Sequence, residues 1–65
     1  MRKWLFQIRK SRECTMKDVA IAANISECYY SQIENGSRNA SVKVAMKIAK
    51  ALGFDWQMFF EQDTA

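Results

Sequence analysis

An all-α fold of five short helices is the class this sequence predicts, and three observations predict it. Apolar residues recur at three- and four-residue spacing, and alternating strand patterns are absent. Hydroxyl residues stand where helices need N-caps, at Thr15, Ser26 and Ser41, and glycines stand where two helices should stop, at Gly36 and Gly53. The chain contains no proline, no low-complexity run and no internal repeat, so residues 1–65 are expected to form a single domain.

The first helix is expected over about residues 1–12, with Met1, Trp4, Leu5 and Ile8 on one stripe. The second covers about 16–23 behind the Thr15 cap. Its Asp18, at the third helical position, suits the positive end of the helix dipole, and Val19, Ala20 and Ala23 form its inward face. Ala20 is small where two crossed helices would approach closely. The third covers about 27–34, capped by Ser26 and ended by Gly36, whose freedom to take positive φ suits the turn after a helix. The fourth runs over about 42–52 behind Ser41, with Val42, Ala45, Met46, Ile48, Ala49 and Leu52 as a wide apolar face, and Gly53 stops it. A last short helix begins near Asp55 and carries Trp56, Phe59 and Phe60. The pair over 16–34, joined by a tight turn, has the shape of a helix-turn-helix, which sets its second helix in the DNA major groove.

A chain of 65 residues builds only a small core. Such a core rarely contributes more than ~3–5 kcal/mol net, so very regular helices or a partner subunit are expected. Cys14 and Cys28 are the only cysteines and no secretion signal is visible, which fits free thiols in a reduced, cytoplasmic setting. The N-terminal apolar stretch is too short and too charged for a leader or a membrane span. There is no histidine and no carboxylate pair that the pattern would bury, so no catalytic residue, metal site, cofactor or small-molecule ligand is expected. The cysteines read as passive thiols, with redox sensitivity of Cys28 as the alternative.

The net charge is +3, and its distribution matters more than its total. Arg2, Lys3, Arg9, Lys10 and Arg12 crowd the start, Arg38, Lys43, Lys47 and Lys50 follow later, and Asp55, Glu61 and Asp63 make the tail acidic. Clustered cations suit a polyanion, because they release the counterions condensed on a phosphate backbone. The same residues would also serve simply to solvate helix faces.

On a helical wheel of residues 26–34, Tyr30 and Ile33 face one way and Cys28, Tyr29 and Gln32 the other. The first face suits the core and the second suits a groove. Gln32 donates and accepts at once, which matches the N6/N7 edge of adenine. Tyr29 can bond a phosphate or pack on a thymine methyl, and Cys28 would touch a methyl. Glu27 has two readings: the dipole favours a carboxylate at a helix start, and against DNA it would need a cytosine N4 amine as donor.

The stretch Ile25-Ser26 … Ser31-Gln32-Ile33-Glu34-Asn35-Gly36 … Arg38-Asn39-Ala40-Ser41, followed by Lys47-Ile48-Ala49-Lys50-Ala51-Leu52-Gly53, resembles the lambda-repressor/Cro-like helix-turn-helix domains of the XRE family over about residues 1–60. The closing Phe54-Asp55-Trp56 … Phe59-Phe60 is similar to small regulators of phages and mobile elements of Gram-positive bacteria. The resemblance implies a five-helix domain acting on double-stranded DNA at the bacterial nucleoid. It places Glu27, Cys28, Tyr29 and Gln32 on base-facing positions. Arg9, Asn35, Arg38, Ser41 and Lys43 fall on backbone-contacting ones. It also pairs Arg9 with Glu34, an acid in the last turn of its helix where the dipole disfavours it; separate solvation of the two is the alternative. Two residues depart from the family pattern. Met16 stands where a glutamine commonly helps fix the DNA backbone, although backbone N–H groups there can still face a phosphate. Ala40 stands where a proline is common, which leaves that loop freer.

Several large apolar residues fall off the expected core stripes: Phe6, Ile21, Trp56, Met58, Phe59 and Phe60. A contiguous exposed patch would mark an interface. The expectation is a homodimer through the fourth-to-fifth helix region, with Trp56, Phe59 and Phe60 at its interface, matched to a palindromic operator. The function expected is sequence-specific transcriptional regulation, as a repressor by operator occupancy; the sequence does not separate this from activation through direct polymerase contact. The alternative is a protein-interaction module of antitoxin or antirepressor type on the same fold, to which Met16, Glu27, Phe6 and Ile21 lend support.

Overall fold

The computed structural model describes residues 1–61 and contains five helices: α1 (Lys3–Ser11), α2 (Met16–Ala23), α3 (Glu27–Asn35), α4 (Val42–Leu52) and α5 (Met58–Glu61). Asp63 of the expected acidic tail lies outside the described residues. The architecture is all-α, with α2 packed against both α3 and α4 and α1 against α3. Among the described residues no helix is long and apolar enough to cross a membrane.

The boundaries follow from local chemistry. Thr15 and Asp18 form a reciprocal capping box: Asp18 N–H donates to Thr15 Oγ1 and Thr15 N–H to Asp18 Oδ2, both at 3.0 Å. Ser26 Oγ accepts from Tyr29 N–H at 3.0 Å, and Ser41 Oγ from Val44 N–H at 3.2 Å, so all three expected caps are made. Asn24 turns the chain from α2 into α3 in the left-handed conformation, φ 58°. Its N–H reaches Ile21 O at 3.1 Å and Ile25 N–H reaches Ala20 O at 2.9 Å, which closes the helix with a Schellman turn. Asparagine does here what glycine does after α3 and α4, because its short polar side chain tolerates that region.

One core joins these elements: Leu5 of α1, Val19, Ala20 and Ala23 of α2, Tyr30 and Ile33 of α3, and Ala45, Ile48 and Leu52 of α4. Phe59 of α5 completes it, edge-on to Trp4 at 5.0 Å between ring centroids and tilted against Phe54 at 5.9 Å. These separations suit attractive aromatic pairing.

Three expectations about the elements are corrected. The first helix does not start at Met1, and Met1 leaves the apolar stripe to stand exposed. Arg2 N–H donates to Glu34 O at 2.8 Å, so the first two residues cross the end of α3 instead of extending α1. Val42 and Met46 are exposed too. A helix with neighbours on one side buries a stripe roughly 100° wide, which Ala45, Ile48, Ala49 and Leu52 fill, leaving Val42 and Met46 on its flank. The last helix is a single turn from Met58, because Asp55 Oδ1 accepts from Gln57 N–H at 3.0 Å and holds residues 55–57 in a turn.

Candidate nucleic-acid interface

α3 is fixed from beneath before anything can touch its outer face. Tyr30 and Ile33 are fully buried, and Glu34 behind them is 1% exposed. A buried carboxylate needs compensation, and it has three donors. Arg9 gives Nε at 2.7 Å and Nη2 at 3.1 Å to its two oxygens, and Tyr30 Oη donates at 2.9 Å. Arg9 Nη1 goes to Cys14 O at 2.9 Å. The expected Arg9–Glu34 pair is therefore present, as a bidentate, buried pair. Its hydrogen bond to Glu34 raises the Arg9 pKa despite the burial that opposes this. Burial, followed by the Glu34 charge, pushes the Tyr30 phenol well above its ordinary range. Among the described residues no buried side-chain nitrogen or oxygen lacks a partner.

This alters the expectation for Arg9. It is only 7% exposed, with each of its three guanidinium nitrogens bonded inward. It holds α3 against α1 and presents little surface of its own.

The opposite side of α3 carries the expected groove-facing set. Glu27 and Cys28 are exposed, and Tyr29 and Gln32 half-buried. They do not stand alone. Arg38, from the loop after α3, lies with its guanidinium carbon 5.3 Å from the Tyr29 ring centroid and donates from Nε to Gln32 Oε1 at 3.0 Å. Gln32 Nε2 lies 4.0 Å from Cys28 Sγ. Arg38 is thus part of the α3 face, not a separate loop cation.

The loop is positioned by its own chemistry. Gly36 takes φ 90°, Gly36 N–H meets Ile33 O at 3.3 Å, and Ser37 N–H meets Gln32 O at 3.0 Å. That Schellman geometry folds the chain back over Gln32. Asn35 Oδ1 accepts from Ser37 N–H at 2.9 Å and from Ser37 Oγ at 2.7 Å, so the Asn35 side chain braces the turn while the residue stays exposed. Ser41 and Lys43, at the start of α4, are exposed.

Arg2 makes a contact that the sequence pattern did not reveal. It is buried, and its guanidinium donates to Ile33 O, to Arg38 O at 3.0 Å and to Asn39 Oδ1 at 2.9 Å. It clamps the end of α3 to the loop that carries Arg38. An arginine one residue before a helix gives no sequence signal for a contact more than thirty residues away. Arg12 is a similar case: its Nε donates to Leu52 O at 2.8 Å, at the negative end of α4.

The aromatic residues assigned to a dimer interface divide. Phe59 is 3% exposed and belongs to the core, because Trp4 and Phe54 enclose it; that assignment is corrected. Trp56 is half-buried and Phe60 exposed, and their rings pack edge-on at 5.8 Å. Phe6 also proves less exposed than expected. Phe6 is half-buried, with Arg9 and Lys10 over its ring, and Met16 packs against the core. Ile21, at 68% exposure, does stand in solvent.

Comparison with known proteins agrees with this geometry. The model of the helix-turn-helix family matches residues 5–59. The chain is 52% identical over 61 residues to YqaF of Bacillus subtilis (strain 168), an uncharacterized HTH-type transcriptional regulator, across 94% of this chain and 80% of the relative. No solved structure matches it.

Proposed function

Because this chain belongs to the XRE-type helix-turn-helix family of DNA-binding transcriptional regulators, we propose that it recognises a specific duplex sequence through α3 and represses by occupying that site. One observation carries the reading: Tyr30, Ile33 and Glu34 anchor α3 from beneath, while Cys28, Tyr29, Gln32 and Arg38 line its outer side. In this reading Cys28, Tyr29 and Gln32 meet base edges, with Glu27 at the helix start. Asn35, Ser41 and Lys43 lie along the phosphates, where Lys43 supplies charge and the first turn of α4 supplies backbone N–H groups. The protein acts as a homodimer on a palindrome, its half-sites one helical turn apart. Trp56 and Phe60 offer apolar surface for that dimer.

The test is selection from a random duplex library with purified protein at moderate salt, alongside sedimentation. Enrichment of a palindrome with half-sites about ten base pairs apart supports the dimeric reading. Enrichment of one half-site only, with a monomer in sedimentation, removes the dimer and leaves sequence recognition. Weak, salt-sensitive retention without enrichment removes both and favours a protein-binding module. The exposure of Ile21, Val42 and Met46 is what keeps that second reading in view.

A further inference from the structure

We infer that Arg38 is a positioning residue for base selection: it holds Gln32 with its amide nitrogen outward and so directs the recognition helix to guanine rather than adenine. The inference rests on the proposed reading of α3 as a base-reading helix.

The argument starts from what each group can do. A guanidinium has five N–H donors and no acceptor. The end of Gln32 that meets Arg38 Nε at 3.0 Å must therefore be Oε1. The opposite end, Nε2, lies 4.0 Å from Cys28 Sγ, a weak acceptor that leaves the amide donors largely uncommitted. Arg38 is itself held. Its side chain stacks on Tyr29 at 5.3 Å, and its carbonyl accepts from Arg2 Nη1 at 3.0 Å. Its N–H bonds Gln32 O at 3.2 Å, so main chain and side chain both return to Gln32.

A glutamine reads adenine by donating to N7 while accepting from the N6 amine. Here the acceptor already faces a cation. An N6 amine brought to that oxygen would approach the guanidinium, which repels its positive hydrogens. Guanine presents N7 and O6, both acceptors, at the same edge. The two Gln32 amide hydrogens, turned outward by the bond from Arg38, complement two acceptors. A free glutamine keeps the adenine option; here the second Oε1 lone pair stands beside a guanidinium, which disfavours another donor at that oxygen.

The experiment compares library selections by the wild-type protein, Arg38→Ala, Gln32→Ala and the double variant, with circular dichroism confirming that each is folded. The base that Gln32 reads is the position whose preference Gln32→Ala erases. The expected result is guanine there for wild type, by roughly ten- to a hundredfold over adenine, and a move to adenine in Arg38→Ala. The double variant shows no preference. If Arg38→Ala weakens all sites equally and leaves the preference unchanged, Arg38 is a phosphate cation and the inference fails while sequence recognition by α3 stands. Adenine preferred by the wild type overturns it too. No enrichment by any of the four overturns the reading of α3 itself, and this inference with it.

Discussion

Glu34 receives Arg9 at both carboxylate oxygens, 2.7 Å from Nε and 3.1 Å from Nη2, and only 1% of Glu34 is exposed. The pair joins α1 to the last turn of α3, where the helix dipole alone would repel a carboxylate. Removing one partner leaves a buried charge uncompensated, which costs about 3–5 kcal/mol. A core this small contributes little more than that in total. Arg9→Ala and Glu34→Ala are each expected to be largely unfolded at 25 °C by circular dichroism. Arg9→Met combined with Glu34→Leu is expected to cost less than the two single losses summed, since no charge is then stranded.

Tyr30 makes stability fall in alkali. Its phenol is raised from the ordinary 10.0 by burial and by Glu34, so the folded state keeps a proton that the unfolded state loses above about pH 10. The unfolded chain then binds fewer protons, and stability declines with pH by up to ~1.4 kcal/mol per unit. Below pH 10 the contribution is fully present. Urea titrations from pH 8 to 11.5 should show the decline, and Tyr30→Phe should reduce it while costing about 1.5–3 kcal/mol at neutral pH for the lost bond to the carboxylate.

The α2 cap acts at the acid end. The backbone and hydroxyl of Thr15 hold the Asp18 carboxyl below its ordinary 3.8. A depressed folded value means the stabilisation is present above the unfolded pKa and is lost as pH falls through the folded one. Asp18→Asn should flatten the stability profile below about pH 4. Thr15→Ala should cost about 1 kcal/mol at pH 7, read as a lower urea midpoint.

Arg2 predicts a local effect. Arg2→Ala removes donors to Ile33 O, Arg38 O and Asn39 Oδ1 together. Amide exchange is expected to accelerate around residues 33–39 more than in α2 or α4. Equal acceleration everywhere would mean that Arg2 supports the whole fold instead of the loop.

Lys43 offers the simplest electrostatic check. Lys43→Ala should weaken every duplex similarly and lower the slope of log affinity against log salt by about one. A changed base preference with an unchanged slope would move Lys43 off the phosphates.

Much of this molecule is decided by the order of residues alone. The caps at Thr15, Ser26 and Ser41 and the stops at Gly36 and Gly53 depend on contacts within about five residues, so pattern and propensity suffice to place α2, α3 and α4. The faces of α3 follow in the same way, because helical spacing puts Tyr30 and Ile33 opposite Cys28, Tyr29 and Gln32. The Arg9–Glu34 pair is what the family resemblance implies; the residue order alone asks only for some cation near an acid at the wrong end of a dipole. What tertiary structure decided depends on approach between distant segments. Arg2 lies under the end of α3, Arg12 caps α4, and Phe59 is enclosed by Trp4 and Phe54 rather than offered to a partner. Arg38 belongs to the same class: a loop cation by sequence becomes part of the α3 face once the turn at Gly36 brings it back over Gln32. Local hydrogen bonds have partners within one turn of helix and can be read along the chain. The burial of an arginine or a phenylalanine depends on which segment comes to lie against it.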